Sequence, residues 1–263
     1  MLKKVSLGST DILVSPIGLG TVKFGRNQQV NYPQGFELPS DQAIKDLLAC
    51  AKELGINLLD TAPAYGISEE RLGPLIKADR EHWIIATKVG EEFVNGGSQF
   101  DFSPAAIKHS VERSLKRLGT DRLDIVLVHS NGEDLRLIEE ESVFATLEGL
   151  KKQGLLRAYG MSTKTVAGGK LAVELSDVVM VTHNPVHTEE QSVIKAAEQL
   201  KKGIFIKKAL ASGHLQKISG ADPVATAMDF IFKEAGVTSI ILGTLSQQHL
   251  IHNVECARKS LGE

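Results

Sequence analysis

Trp83-Ile84-Ile85-Ala86-Thr87-Lys88, a helix-patterned stretch from Ser103-Pro104 to Gly119, then Asp124-Ile125-Val126-Leu127-Val128-His129: this order decides the fold. The two outer runs are short, rich in Val and Ile, and apolar on both faces, as expected of parallel strands covered by helices. Ser103 is an N-cap with proline at the first helical position, and Gly119 sits where a helix C-terminus favours glycine. Residues 83–129 therefore read as strand, crossover helix, parallel strand.

The same unit repeats outward in both directions. Further strand-like runs lie at Ile17–Gly20, Asn57–Asp60, Arg157–Met161, Val178–Thr182, Gly203–Lys207 and Ser239–Gly243. Helical patterns fill the intervals at Ser40–Leu54, Ser68–Lys77, Glu140–Gln153, Val166–Glu174, Thr188–Lys202, Asp222–Ala235 and Ser246–Ser260. Eight runs with eight following helices predict an α/β fold, a (β/α)8 TIM barrel. A doubly wound sheet would need a glycine fingerprint at its first strand–helix turn, and Gly18-Leu19-Gly20-Thr21-Val22-Lys23 lacks that spacing. Val5-Ser6-Leu7 and Ile12-Leu13-Val14, joined across Gly8–Asp11, predict an N-terminal β-hairpin at the barrel bottom. No linker or shift of composition divides residues 1–263, so one domain is expected. The long polar loop Arg26–Pro39 is the best candidate for a lid, a plain surface loop being the alternative, since loops of that length are usually functional or mobile.

Composition sets outer bounds. The chain has 263 residues, 42% hydrophobic and 24% charged, with two cysteines and a net charge of −2. By surface scaling, about 11,000 Å² of about 41,000 Å² should remain exposed on folding, so the core needs no staples. Near-neutral charge leaves no basic field for a nucleic-acid backbone. Cys50 and Cys256 read as free thiols of a reducing compartment, and no metal-binding set is read from the sequence. No apolar run approaches a membrane span, and Met1-Leu2-Lys3-Lys4 leads into no signal segment. The expectation is a cytoplasmic protein without membrane or nucleic-acid partners; oligomeric state is not legible.

In such a barrel, chemistry sits where strands end. Three consecutive runs close on polar residues: Asp60, Lys88 and His129, with Tyr65 five residues past the aspartate. A lysine ammonium beside a phenol favours the phenolate and should lower the tyrosine pKa. A carboxylate can hold that lysine, and a neutral histidine can donate to a substrate oxygen. The set suits protonation of a carbonyl oxygen. A Schiff-base lyase using Lys88 is the alternative these residues leave open.

Asp60-Thr61-Ala62, Tyr65-Gly66, Ala86-Thr87-Lys88 and the Asp124–His129 run resemble the aldo-keto reductase signature, and the resemblance spans nearly the whole chain. It implies a barrel binding NADPH, less often NADH, across the strand ends, and acting on small carbonyl substrates. Tyr65 would be the general acid, Lys88 would lower its pKa, Asp60 would pair with Lys88, and His129 would orient the carbonyl. The implied cofactor contacts are Thr21, Ser162, Thr163, Lys207, Leu210, Ser212, Gly243, Thr244, His249 and Asn253. Several positions depart from the family pattern. Thr163 stands where Asn is usual, Met180 replaces the carboxamide-binding Gln, and Lys207 replaces a stacking Tyr. His249 falls where an Arg commonly grips the 2′-phosphate, and His252 where a Glu is usual. Some relatives bind the nucleotide and act through a partner, so a regulatory module is the alternative function. The chain is short for the family and ends soon after its last helix, so no long tail over the site is expected.

Overall fold

The computed structural model describes Met1–Glu263. Eight parallel strands close into a barrel: β1 (Ile17–Gly20), β2 (Leu58–Asp60), β3 (Ile84–Val89), β4 (Leu123–His129), β5 (Leu156–Ser162), β6 (Val178–Thr182), β7 (Gly203–Lys207) and β8 (Ser239–Leu242). Each pairs with its sequence neighbours, and β8 closes on β1 through Ile240↔Ile17 and Leu242↔Leu19. The principal outer helices are α1 (Asp41–Glu53), α2 (Ser68–Ile76), α3 (Pro104–Leu118), α4 (Val143–Lys152), α5 (Val166–Leu175), α6 (Gln191–Gln199), α7 (Pro223–Phe232) and α8 (Gln247–Ser260). No helix is long and apolar enough to cross a membrane. The accessible surface, 11558 Å², matches the size-scaling expectation.

Strand periodicity sorts side chains into two layers. One face packs under the helices, where Leu19, Leu59, Ile85, Val126, Val128 and Ile206 join the largest apolar cluster. The other face fills the barrel interior with Leu58, Ala86, Ile125, Leu127, Ala158, Val178, Met180 and Phe205. The N-terminal hairpin, Val5–Ser6 paired with Leu13–Val14, sends Leu7, Ile12 and Val14 into this interior cluster as the plug. The interior is thus sealed at one end by apolar packing. One step further along the same inward faces stand Asp60, Lys88, His129, Ser162 and Lys207, all at the open end.

Helix boundaries follow the caps read from the sequence. Ser40, Ser103, Asp222 and Ser246 each accept a backbone N–H at a helix start, a contribution of about 1 kcal/mol apiece. Three features depart from expectation. The fourth helix starts at Val143, because Ser142 adopts a left-handed conformation that separates it from a preceding helix, Asp134–Glu139. The sixth is shorter than Thr188–Lys202 and occupies Gln191–Gln199. An unexpected hairpin, Glu91–Val94 with Gly97–Phe100, follows β3.

Candidate active site

The register of three strands brings the polar strand ends together. Asp60 lies opposite Ala86, and Lys88 stands two residues further on the same inward face. Ala86 is small, so the lysine lies over it and points back toward β2. Its ammonium touches Asp60 Oδ1 at 2.5 Å, the Thr61 carbonyl at 3.0 Å and the Tyr65 hydroxyl at 2.9 Å. Lys88 is fully buried, a placement that requires this complete set of partners. The Tyr65 hydroxyl also donates to Asp60 Oδ2 at 3.2 Å.

Tyr65 owes its position to the turn after β2. Pro63–Tyr65 form a single helical turn, and Gly66 ends it at φ +63°. A Cβ on Gly66 would meet the Gly25 carbonyl at 2.2 Å, so only glycine permits the turn that presents the phenol. Burial and the Asp60 carboxylate hold the Tyr65 phenol well above its ordinary pKa of 10. This reverses the sequence expectation that Lys88 lowers it. The carboxylate beside the hydroxyl and loss of solvent outweigh the ammonium, so the free protein keeps the phenol protonated.

His129 closes the group, its ring set edge-on to Tyr65 with centroids 6.3 Å apart. Nδ1 is buried and lies 2.7 Å from Glu91 Oε2, close but poorly aligned as a hydrogen bond. Burial, reinforced by Lys88, lowers the His129 pKa and keeps the ring neutral. Although burial opposes it, contact with His129 and Ser98 brings Glu91 down to about 2, so its carboxylate is ionised. The neutral ring carries one N–H, and the other nitrogen is an acceptor. Sequence reasoning missed Glu91, because it heads the small hairpin after β3 and follows no strand-end pattern.

These groups open into a cavity of about 1190 Å³ that runs from Asp60, Tyr65, Lys88 and His129 to the start of α8. Among the expected cofactor contacts, Ser162, Thr163, Lys207, Leu210, Ser212, Gly243, Thr244, His249 and Asn253 all line it. Thr21 does not. Its buried hydroxyl donates to the Asp60 carbonyl at 3.0 Å and accepts from Ser68 at 2.8 Å, behind the wall. Asn184 is spent on a turn, donating to the Lys208 carbonyl at 2.8 Å.

Lys207 and Lys208 divide as strand alternation requires: Lys207 points inward and Lys208 is exposed. The Lys207 ammonium donates to Ser162 Oγ at 2.9 Å and to the Thr163 carbonyl at 2.6 Å. Burial lowers its pKa to about 8, against the opposing pull of Glu190. Just beyond, Lys208, Ala211 and Ser212 all have positive φ, a concentration of backbone strain along the cavity edge.

The Arg26–Pro39 loop folds over the mouth, with Gln29 through Gln34 lining the cavity. Tyr32 packs edge-on against Phe36 and carries the Lys23 ammonium over its ring at 4.1 Å. Arg26 ties one end to the Ala64 carbonyl, and Arg71 ties both flanks by donating to the Phe24 and Pro39 carbonyls.

The family model for the Aldo/keto reductase family matches residues 16–217. The chain belongs to the aldo-keto reductase family. A Pseudomonas aeruginosa structure assigned to the same family is 52% identical and superposes with a TM-score of 0.90, covering 98% of this chain and 96% of that one. The uncharacterized oxidoreductase YqkF of Bacillus subtilis (strain 168) is 28% identical over 295 residues, covering 97% of this chain and 91% of that protein. The NADH-specific methylglyoxal reductase of Escherichia coli (strain K12) is 34% identical over 172 residues, but these cover 60% of this chain and 51% of that protein. Aldo-keto reductases are oxidoreductases that use nicotinamide cofactors.

The cavity of this aldo-keto reductase fits such a group. It is long, it joins the Tyr65 end to a capped helix N-terminus, and it carries hydroxyl, amide and ammonium donors along its length. Gly243 leaves the wall open where a Cβ would stand 3.1 Å from the Tyr32 hydroxyl.

Proposed function

We propose that residues 1–263 act as one barrel unit that reduces small aldehydes or ketones to alcohols with NADPH, NADH being the second candidate. The observation that carries this reading is Lys88 Nζ, held 2.5 Å from Asp60 and 2.9 Å from the Tyr65 hydroxyl at the cavity floor. The bound cofactor supplies the hydride. Tyr65, protonated in the free protein, gives its proton to the carbonyl oxygen as charge develops there. The Lys88 ammonium then stabilises the phenolate at the moment it forms, and Asp60 keeps Lys88 charged and fixed. His129 would orient the substrate carbonyl by donating its ring N–H to the substrate oxygen. Ser162, Thr163 and Lys207 would hold the nicotinamide end, and Gly243, Thr244 and Asn253 the adenosine end.

Cofactor choice turns on the Gly243–Asn253 segment, which contains neither Arg nor Lys. A 2′-phosphate there would have to rely on His249, without the bidentate fork of an arginine. Carbonyl-dependent oxidation of NADPH and NADH, followed side by side on a panel of short aldehydes and ketones, tests the reading. Turnover with either cofactor supports reduction. Tight cofactor binding with no turnover on any carbonyl would instead favour a regulatory module.

A further inference from the structure

We propose that Asp222, His252 and Cys256 form a binding site for a zinc-type divalent cation that joins the last two helices beside the far end of the cavity. His252 and Cys256 are four residues apart on α8 and share one face of it. Asp222 caps α7, whose packing against α8 brings the carboxylate to that face. The two capping bonds, from Val224 N at 2.9 Å and Ala225 N at 3.2 Å, both use Oδ1. They fix the carboxylate and leave Oδ2 turned to α8.

The three donor atoms already stand at coordination spacing. Oδ2 is 3.0 Å from His252 Nε2, Nε2 is 3.6 Å from Cys256 Sγ, and Sγ is 3.8 Å from Oδ2. Tetrahedral zinc, with ligands at 2.0 to 2.3 Å, separates its oxygen, nitrogen and sulfur donors by about 3.3 to 3.6 Å. An ion can therefore enter with shifts of a few tenths of an ångström. One imidazole, one carboxylate and one thiolate select a borderline-soft ion over magnesium or calcium. Binding displaces the thiol proton to solvent, His252 binds as the tautomer whose proton is on Nδ1, and the Asp222 oxygen that accepts from the thiol becomes a ligand. Three protein ligands leave one tetrahedral position for water or an oxygen of a cavity ligand. His252 and Asp222 both line the cavity and are 49% and 40% exposed, so an ion has an entry path. Cys256 is buried behind them.

The test is a titration of the purified, chelator-treated chain with cobalt(II), followed by displacement with zinc. The site predicts one equivalent of cobalt, a thiolate-to-cobalt charge-transfer band in the near ultraviolet, and strong visible bands of tetrahedral cobalt. Zinc should abolish these bands and raise the melting temperature. Cys256→Ser should remove the charge-transfer band, and Asp222→Asn, which preserves a helix-capping side chain, should weaken binding at least tenfold. Cys50→Ser, remote from the cluster, should leave the spectrum unchanged. Absence of a stoichiometric band in the folded wild-type chain, or a band that survives Cys256→Ser, would overturn the assignment.

Discussion

Glu91 illustrates how one residue outside the strand-end pattern can define the state of another inside it. Its carboxylate, held by Ser98 and near Arg26, faces the buried Nδ1 of His129. Glu91→Gln keeps the shape and removes the negative charge beside the ring. We expect kcat to fall about tenfold, about 1.4 kcal/mol of barrel-rim preorganisation, with the melting temperature nearly unchanged. The pH profile of turnover should also move. Unchanged kcat and profile together with a lower melting temperature would assign Glu91 to stability alone. Asp60, Lys88 and His129 were legible because each closes an apolar run, and alternation then dictates that they share the inward face. Glu91 was not legible, because the hairpin that carries it is set by local turn geometry rather than by hydrophobic period. The Tyr65 pKa was misread for a related reason. Sequence names the lysine beside the phenol, whereas the dominant influences, burial and the second oxygen of Asp60, depend on packing.

At the scale of elements, the decisive piece is the Arg26–Pro39 loop. Its sequence shows length and polarity but no period, so only its existence could be read. The structure supplies the reason it holds a shape: Arg71 on α2 donates to carbonyls at both flanks and pairs with Asp41 at 2.6 Å. Arg71→Ala leaves those carbonyls without their charged donor, a change costing about 1 to 3 kcal/mol. Limited proteolysis should then cut within residues 26–39 faster than in the wild type, and the KM for the carbonyl should rise severalfold with a smaller effect on kcat. Equal cleavage and equal KM would show that the loop is held by its own aromatic packing. The strands themselves were read almost to the residue, since both-face apolar runs admit few alternatives. The Asp134–Glu139 helix lies ahead of the Glu140–Gln153 pattern and was not read, because six residues directly after a strand end carry too little period to mark a helix.

For the whole molecule, buried histidines set the acid limit. His183 is fully buried with neither ring nitrogen hydrogen-bonded, and burial lowers its pKa, as it does for His129. A histidine lowered in the fold is neutral there, while the unfolded chain takes up protons below about pH 6.5. That contribution to stability is complete above this value and is lost as pH falls below it. The melting temperature should therefore drop between about pH 7.5 and about pH 5.5, and His183→Leu should reduce the drop. An equal drop in the variant would place the acid sensitivity elsewhere. Glu69 and Glu190, raised by burial, act oppositely in a more acidic window: their contribution is present below about pH 4.5 and lost as pH rises through their folded values. The barrel was foreseeable from eight repeats of one unit. The residues that line the cavity were largely foreseeable too, but its shape was not, since Gln29 through Gln34 of the loop after β1 complete its walls.

The central claim is that Tyr65 delivers the proton while neighbouring groups bind and hold. Steady-state turnover of Tyr65→Phe on an aldehyde accepted by the wild type, with cofactor affinity measured on the same preparation, tests it most directly. The account predicts a loss of about 10² to 10⁴ in kcat with cofactor affinity within a few-fold of the wild type. Undiminished turnover in a folded, cofactor-binding Tyr65→Phe protein would contradict it.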